Sequence, residues 1–195
     1  MNNTTTHTEN MNKTVNTATI EVGTLTDMYQ TKPTTMRLLD WLRLTRNTVA
    51  GRCKSTLPAM MPHGTFIRRR LDGLLHHSGL VQIDLDGKHQ RPEIVGKVPW
   101  TDVRDAIGQQ PWCVYASISN GGHGVYALVA VSGSKETTHR ELAETAMDEV
   151  LEVLLCQTGY NYRLDGAVSN NLCSLRFPGA DRSPWLNMEV TPLEA

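Results

Sequence analysis

Leu80-Val81-Gln82-Ile83-Asp84-Leu85-Asp86-Gly87 is the stretch on which the fold turns. Its apolar and β-branched residues, entered through His77-Ser78-Gly79 and closed by Gly87, favour a buried strand over a helix. Residues i and i+2 of a strand point to one face, so Asp84 and Asp86 project together where the strand leaves the sheet. Two carboxylates so placed repel each other unless a cation sits between them, and Mg²⁺ or Mn²⁺ with a polyphosphate is the usual answer. The alternative is a plain strand-ending turn in which Asp86-Gly87 reverses the chain.

Downstream, Trp100-Thr101-Asp102-Val103 reads as the opening of a short helix with Thr101 as its N-cap. Trp112 to Ser117 and Val125 to Val131 read as two strands joined by Ile118-Ser119-Asn120-Gly121-Gly122-His123-Gly124, a hairpin with a Gly-rich tip. Bare amides and hydroxyls in such a turn can line up on phosphate oxygens, with His123 adding a donor; the alternative is a flexible tip. Thr138-x-x-Glu141 is a capping box, and the helix it opens carries Leu142, Ala146, Val150 and Leu154 before Gly159 stops it. Ser174–Phe177 and Met188–Val190 complete the expected strands.

Upstream, Ile20–Val22 is a short strand, Lys32-Pro33-Thr34-Thr35 a helix entry followed by Leu38, Leu39 and Leu42, and Gly64-Thr65-Phe66 a strand. Residues 1–19 are nearly all polar and are expected to form a disordered tail, leaving 20–195 as one domain. The mixture of helices and strands gives an α+β fold with a central, mostly antiparallel sheet flanked by helices.

The chain has 195 residues and a net charge of -1, which disfavours a protein that coats polyanions wholesale. The charge is nevertheless uneven. Between Thr31 and Leu75 nine Lys and Arg face two Asp, whereas between Ser134 and Tyr160 six acids face two bases. The basic block includes Arg68-Arg69-Arg70, which is either a nucleic-acid contact or a solvated surface. Its aromatic complement, Trp41 and Phe66, is thin for base stacking. Four scattered cysteines form no C-x-x-C pair, and there is neither a long apolar run nor a secretory leader, so a cytoplasmic protein with no membrane association is expected.

Leu57-Pro58, Gly64-Thr65-Phe66, Ser78-Gly79-Leu80 leading to Asp84-x-Asp86, the Gly-rich hairpin, and Asp165 followed by Arg176-Phe177 come in an order that resembles the VirE-type N-terminal domain family of bacterial mobile-element replication proteins. That family looks like a branch of the archaeo-eukaryotic primase superfamily. The resemblance implies a primase-polymerase-like fold, an RRM-like unit plus a small α/β unit, acting in DNA replication. It implies two Mg²⁺ or Mn²⁺ ions on Asp84, Asp86 and Asp165 (Asp181 being the less favoured third acid) and transfer from a nucleoside triphosphate onto a 3′-hydroxyl. Ser117, Ser119, His123, Tyr126 and Arg176 would serve the nucleotide, and Arg68, Arg69 and Arg70 a single-stranded template or primer-template. Tyr126 stands where the superfamily carries a strand His, which leaves open a catalytically degenerate nucleic-acid or partner-binding module of the same fold. No P-loop is present, so unwinding is expected of a separate helicase or ATPase.

Overall fold

The computed structural model describes residues 14–48 and 52–195. In chain order its strands and helices are β1 (Val15–Asn16), β2 (Glu21–Leu25), β3 (Thr34–Arg37), α1 (Leu38–Thr45), β4 (Ala59–Met61), β5 (Gly64–Phe66), β6 (Leu74–His77), β7 (Leu80–Asp86), α2 (Trp100–Gly108), β8 (Cys113–Ile118), β9 (Gly124–Ser132), α3 (His139–Thr158), α4 (Gly166–Ser169), β10 (Trp185–Leu186), β11 (Glu189–Val190) and β12 (Leu193–Glu194). This is an α+β fold.

The quoted stretch is strand β7, and its alternation decides what lies on either face. It pairs antiparallel with β9 along its whole length, from Leu80↔Ala130 to Asp86↔Gly124. Val81, Ile83 and Leu85 face a core shared with α2 and α3, where Val103, Ile107, Leu142, Ala146, Val150 and Leu154 are buried. Leu80 joins a second core on the opposite face with Tyr126, Leu128, Val22, Leu38 and Trp41. Period two therefore puts Gln82, Asp84 and Asp86 on the side away from the two long helices.

β8 and β9 form the expected hairpin, with a register shift between Cys113 and Tyr115. β10 extends the sheet beyond β8, and β12 adds a parallel pairing to β9. A smaller antiparallel sheet, β3-β2-β4, and the hairpin β5-β6 lie in the N-terminal half. The capping box of α3 is present in both directions, and Gly159 ends that helix at φ 76.

Several expectations need correction. Thr34 and Thr35 do not enter a helix; they lie in β3 and pair with β2, where the Thr24 and Thr34 hydroxyls meet at 3.0 Å, and α1 begins only at Leu38. β-branched residues favour the pleat over the first turn of a helix. The N-cap of α2 is Pro99 rather than Thr101, whose hydroxyl turns to Asp102. Ser174–Phe177 contributes one isolated bridge, Met60↔Arg176, and no ladder. The expected tail mostly falls outside the described residues. Its last part is ordered, however: β1 pairs with β11, and Thr17 is fully buried with its hydroxyl donating to the Asn187 carbonyl.

Candidate functional site: a charged cleft at the end of the central strand

The end of β7 is held against the Gly-rich turn by one backbone hydrogen bond, Gly87 N–H to the His123 carbonyl at 2.7 Å. Gly87 has to be glycine, since a Cβ there would stand 2.6 Å from that carbonyl oxygen and 3.0 Å from the Trp100 ring. The turn closes on itself through Ser119 N–H to Gly124 O and Gly122 N–H to Ser119 O, both 2.9 Å. Gly122 adopts φ +77, and nothing lies within 4 Å of where a Cβ would stand on Gly121 or Gly122. Among the described residues the amides of Asn120, Gly121 and His123 have no backbone acceptor.

Between this turn and the strand end lies a cleft of about 510 Å³. Asp84, Asp86, Ser119, His123 and Arg176 all line it, as expected from the sequence. So do Asn120 of the Gly-rich turn, Phe177 of the Arg176-Phe177 motif, and three residues that carried no expected site role, Lys54, Lys88 and Trp100. Trp100 and Phe177 put aromatic surface in the cleft. Trp41 and Phe66, the thin aromatic complement of the basic block, are buried in the cores at 2% and 3% exposure.

Each carboxylate of the pair has its own cation. Arg176 Nη1 lies 3.1 Å from Asp84 Oδ1, and Lys88 Nζ lies 2.9 Å from Asp86 Oδ2. Partial burial works against the charged form of Asp86, but the hydrogen bonds and charge of Lys88 outweigh it and hold the carboxyl below its usual range. Lys88 is pushed up, first by its hydrogen bond to Asp86 and then by the charges of Asp86, Asp84 and Asp165. Arg176 is anchored by reciprocal backbone hydrogen bonds with Met60, and its guanidinium lies 3.7 Å over the centre of the Tyr126 ring.

Tyr126 therefore does not reach the cleft: it lies fully buried beneath Arg176. Desolvation raises its pKa, with Arg176 pulling the other way. Ser117 is buried on the neighbouring strand, opposite Tyr126 in register, and its hydroxyl packs beside Gly179. Asp165 is near in backbone terms, its N–H donating to the Asp84 carbonyl at 2.9 Å. Its carboxylate, however, caps α4 by accepting from Ala167 and Val168 N–H, and it lines a separate shallow depression beyond Lys88. Asp181 is held by two hydrogen bonds from Arg104, at 3.0 and 2.9 Å, and by the Ile118 and Ser183 amides. Among the described residues no three His, Cys, Asp or Glu side chains are grouped to hold a metal ion, so the expected trio does not converge.

The three arginines lie away from the cleft. Arg68 pairs with Asp72 at 2.6 Å and Arg70 with the same carboxylate at 3.5 Å. Arg69 is a structural peg, donating to the Met28 and Cys173 carbonyls. No helix among the described residues is long and apolar enough to cross a membrane.

The motif order that resembles the VirE-type family has local physical causes. Gly64 is required because a Cβ would run into the His76 carbonyl, and Gly79 takes φ +75 at the entry to β7. Ser78 bonds the Pro62 carbonyl at 2.6 Å and accepts from Leu80 N–H at 3.1 Å. Such turn residues answer to packing and carry little about lineage, and the comparisons correct the resemblance. No curated protein and no solved structure matches the chain. A family model does match, over residues 52–172 and so over more than half of the chain, and it is not the VirE-type one: the chain belongs to the family described as BT4734-like, N-terminal domain.

Proposed function

We propose that the cleft binds the phosphates of a nucleotide or nucleic-acid strand, and that the domain works as a cytoplasmic nucleic-acid-binding module. The observation that carries this reading is the engagement of its charges. Asp84 and Asp86 are each paired with a cation, and Asp165 is committed to a helix cap. Lys54, His123 and the open Gly-rich turn remain to meet an anion, with Trp100 and Phe177 beside them for a base. The cytoplasmic assignment is supported by four cysteines that are all free thiols. The setting in mobile-element replication leaned on the VirE-type resemblance and falls with it.

A second reading, two-metal nucleotidyl transfer, is favoured by one observation: Asp84 and Asp86 share one wall of the cleft, with Lys88 within electrostatic reach of all three acids. Titration with ATP in EDTA and then in Mn²⁺ separates the two. The module binds ATP without metal, loses affinity when Lys54 and His123 are replaced by Ala, and extends no labelled primer. Binding that appears only with Mn²⁺, together with incorporation that Asp84→Asn abolishes, would establish the enzyme instead. No binding in either condition would remove the nucleotide from both readings.

A further inference from the structure

A second pocket, of about 460 Å³, shares no lining residue with the cleft. The Tyr126–Arg176 stack stands between them, with Tyr126 bordering the pocket and Arg176 the cleft. We propose that this pocket binds a nucleoside monophosphate unit, its ring seated on the apolar floor and its phosphate held by arginines at the mouth. The proposal does not depend on the reading of the cleft.

The floor is aromatic. Tyr115 and Tyr126 lie 5.6 Å apart, centre to centre, and both border the pocket. Leu39 and Leu42 of α1 also line it, as do Leu186 and Met188. Leu186 and Met188 are 41% and 46% exposed, so the pocket presents apolar surface that a planar ring would cover.

The mouth is cationic. Arg43, Arg46 and Arg182 line it against one acid, Asp181. The Asp181 carboxylate is already spent on Arg104 and on two backbone amides. Arg43 shares Asp40 at 3.2 Å in an exposed pair, which is weak in water. Arg46 and Arg182 line the same pocket with no acid partner among the described residues, and a phosphate is a dianion that guanidinium groups bind well. A volume in the usual range for small-molecule sites, roughly 300–1,000 Å³, leaves room for one such unit.

The test is calorimetric titration of the whole chain with AMP, adenosine and a short oligodeoxyadenylate. Arg46→Ala with Arg182→Ala, both exposed positions, should weaken AMP at this pocket about tenfold or more without moving the melting temperature. Leu42→Trp, which fills the pocket, should remove the site, whereas Lys54→Ala with His123→Ala in the cleft should leave it. Adenosine should bind more weakly than AMP. Tighter binding of the oligomer marks a strand as the source of the unit, and tighter binding of AMP marks a free nucleotide. If the cleft binds nothing, wild type still takes one equivalent of AMP, lost in the Arg46/Arg182 pair. No AMP binding by wild type overturns the proposal, as does binding that neither the arginine pair nor Leu42→Trp changes, or equal affinity for adenosine.

Discussion

Acidification from pH 7 to pH 5 should destabilise the fold through three histidines that the candidate site does not use. His139 Nε2 faces the Ser169 carbonyl at 2.9 Å, so that nitrogen carries the proton and Nδ1 accepts from His77 Nε2 at 3.0 Å. His77 Nδ1 then accepts Gly79 N–H at 3.0 Å. His63 Nε2 accepts Gln82 N–H at 3.1 Å, and its ring centre lies 4.5 Å from that of His139. Every ring is neutral and uses its one lone pair, so protonating any of them sets a new N–H against an existing donor. Desolvation, with the neighbouring imidazoles, lowers His63 from 6.5 to about 3 and His77 to about 4, and desolvation also lowers His139.

A lowered histidine pKa means that the unfolded chain takes up the proton first. Stability is intact above pH 6.5 and is lost as pH falls from there toward the folded values. At pH 5 His63 alone costs about 2 kcal/mol, and with His77, which is nearer solvent, up to about 4 kcal/mol. That is a large share of a domain stability of roughly 5–15 kcal/mol. Urea unfolding at pH 7, 6 and 5 measures it, and His63→Gln, which keeps an acceptor for Gln82 N–H but cannot titrate there, should reduce the slope. Carboxylates such as Asp86 and Asp181, held low in the fold, act only below this window. A flat profile between pH 7 and 5, or an unchanged slope in His63→Gln, would refute the reasoning.

Arg104→Leu should cost about 3–5 kcal/mol in chemical denaturation, because it strands the buried Asp181 carboxylate, 6% exposed, without its cation. Arg68→Ala with Arg70→Ala should flatten the salt dependence of nucleic-acid binding by about one log-log unit per lost phosphate contact if those side chains meet a backbone. An unchanged slope makes them a solvated surface. Arg69→Ala is expected to lower the melting temperature instead, since it releases two carbonyls it now satisfies.

The parts of this fold written in short-range patterns were legible. β7 announced itself by its apolar, β-branched run between Ser78-Gly79 and Gly87, α3 by its capping box and Gly159, and the hairpin by its glycines. What failed was set by distant partners. Thr34 and Thr35 joined β3 because β2 offered a ladder, and the chain from Val15 to Thr19 was ordered by β11 and Asn187, which lie at the other end of the sequence. At the site, the placement of Asp84 and Asp86 followed from period two, but Asp165 was chosen by motif order, and no spacing rule could reveal that its carboxylate caps a four-residue helix. Trp100, Phe177 and Lys54 come from separate loops and elements, so only the folded chain brings them together. Lys88 left a local trace, two residues after Asp86 in a Gly-containing turn.

That difference in range changes what the acidic pair means. In the sequence Asp84 and Asp86 have Lys88 close by, but the partner of Asp84, Arg176, is 92 positions away. In the fold each already has a cation, so the pair does not need a metal ion to be tolerated, and the carboxylates instead compete with any incoming phosphate for Arg176 and Lys88. The sign of a substitution follows. Asp84→Asn with Asp86→Asn removes the competitors and leaves the cleft more positive, so ATP binding in EDTA should tighten and its salt dependence steepen. Were the pair to work as metal ligands, the same change would weaken binding in Mn²⁺ and leave nothing to gain in EDTA. Titrations of wild type and the double variant in the two buffers, with melting temperatures to confirm the fold, therefore read opposite signs for the two functions. Weaker binding in EDTA after loss of both carboxylates would show that they act on the nucleotide in some other way than by competing for Arg176 and Lys88.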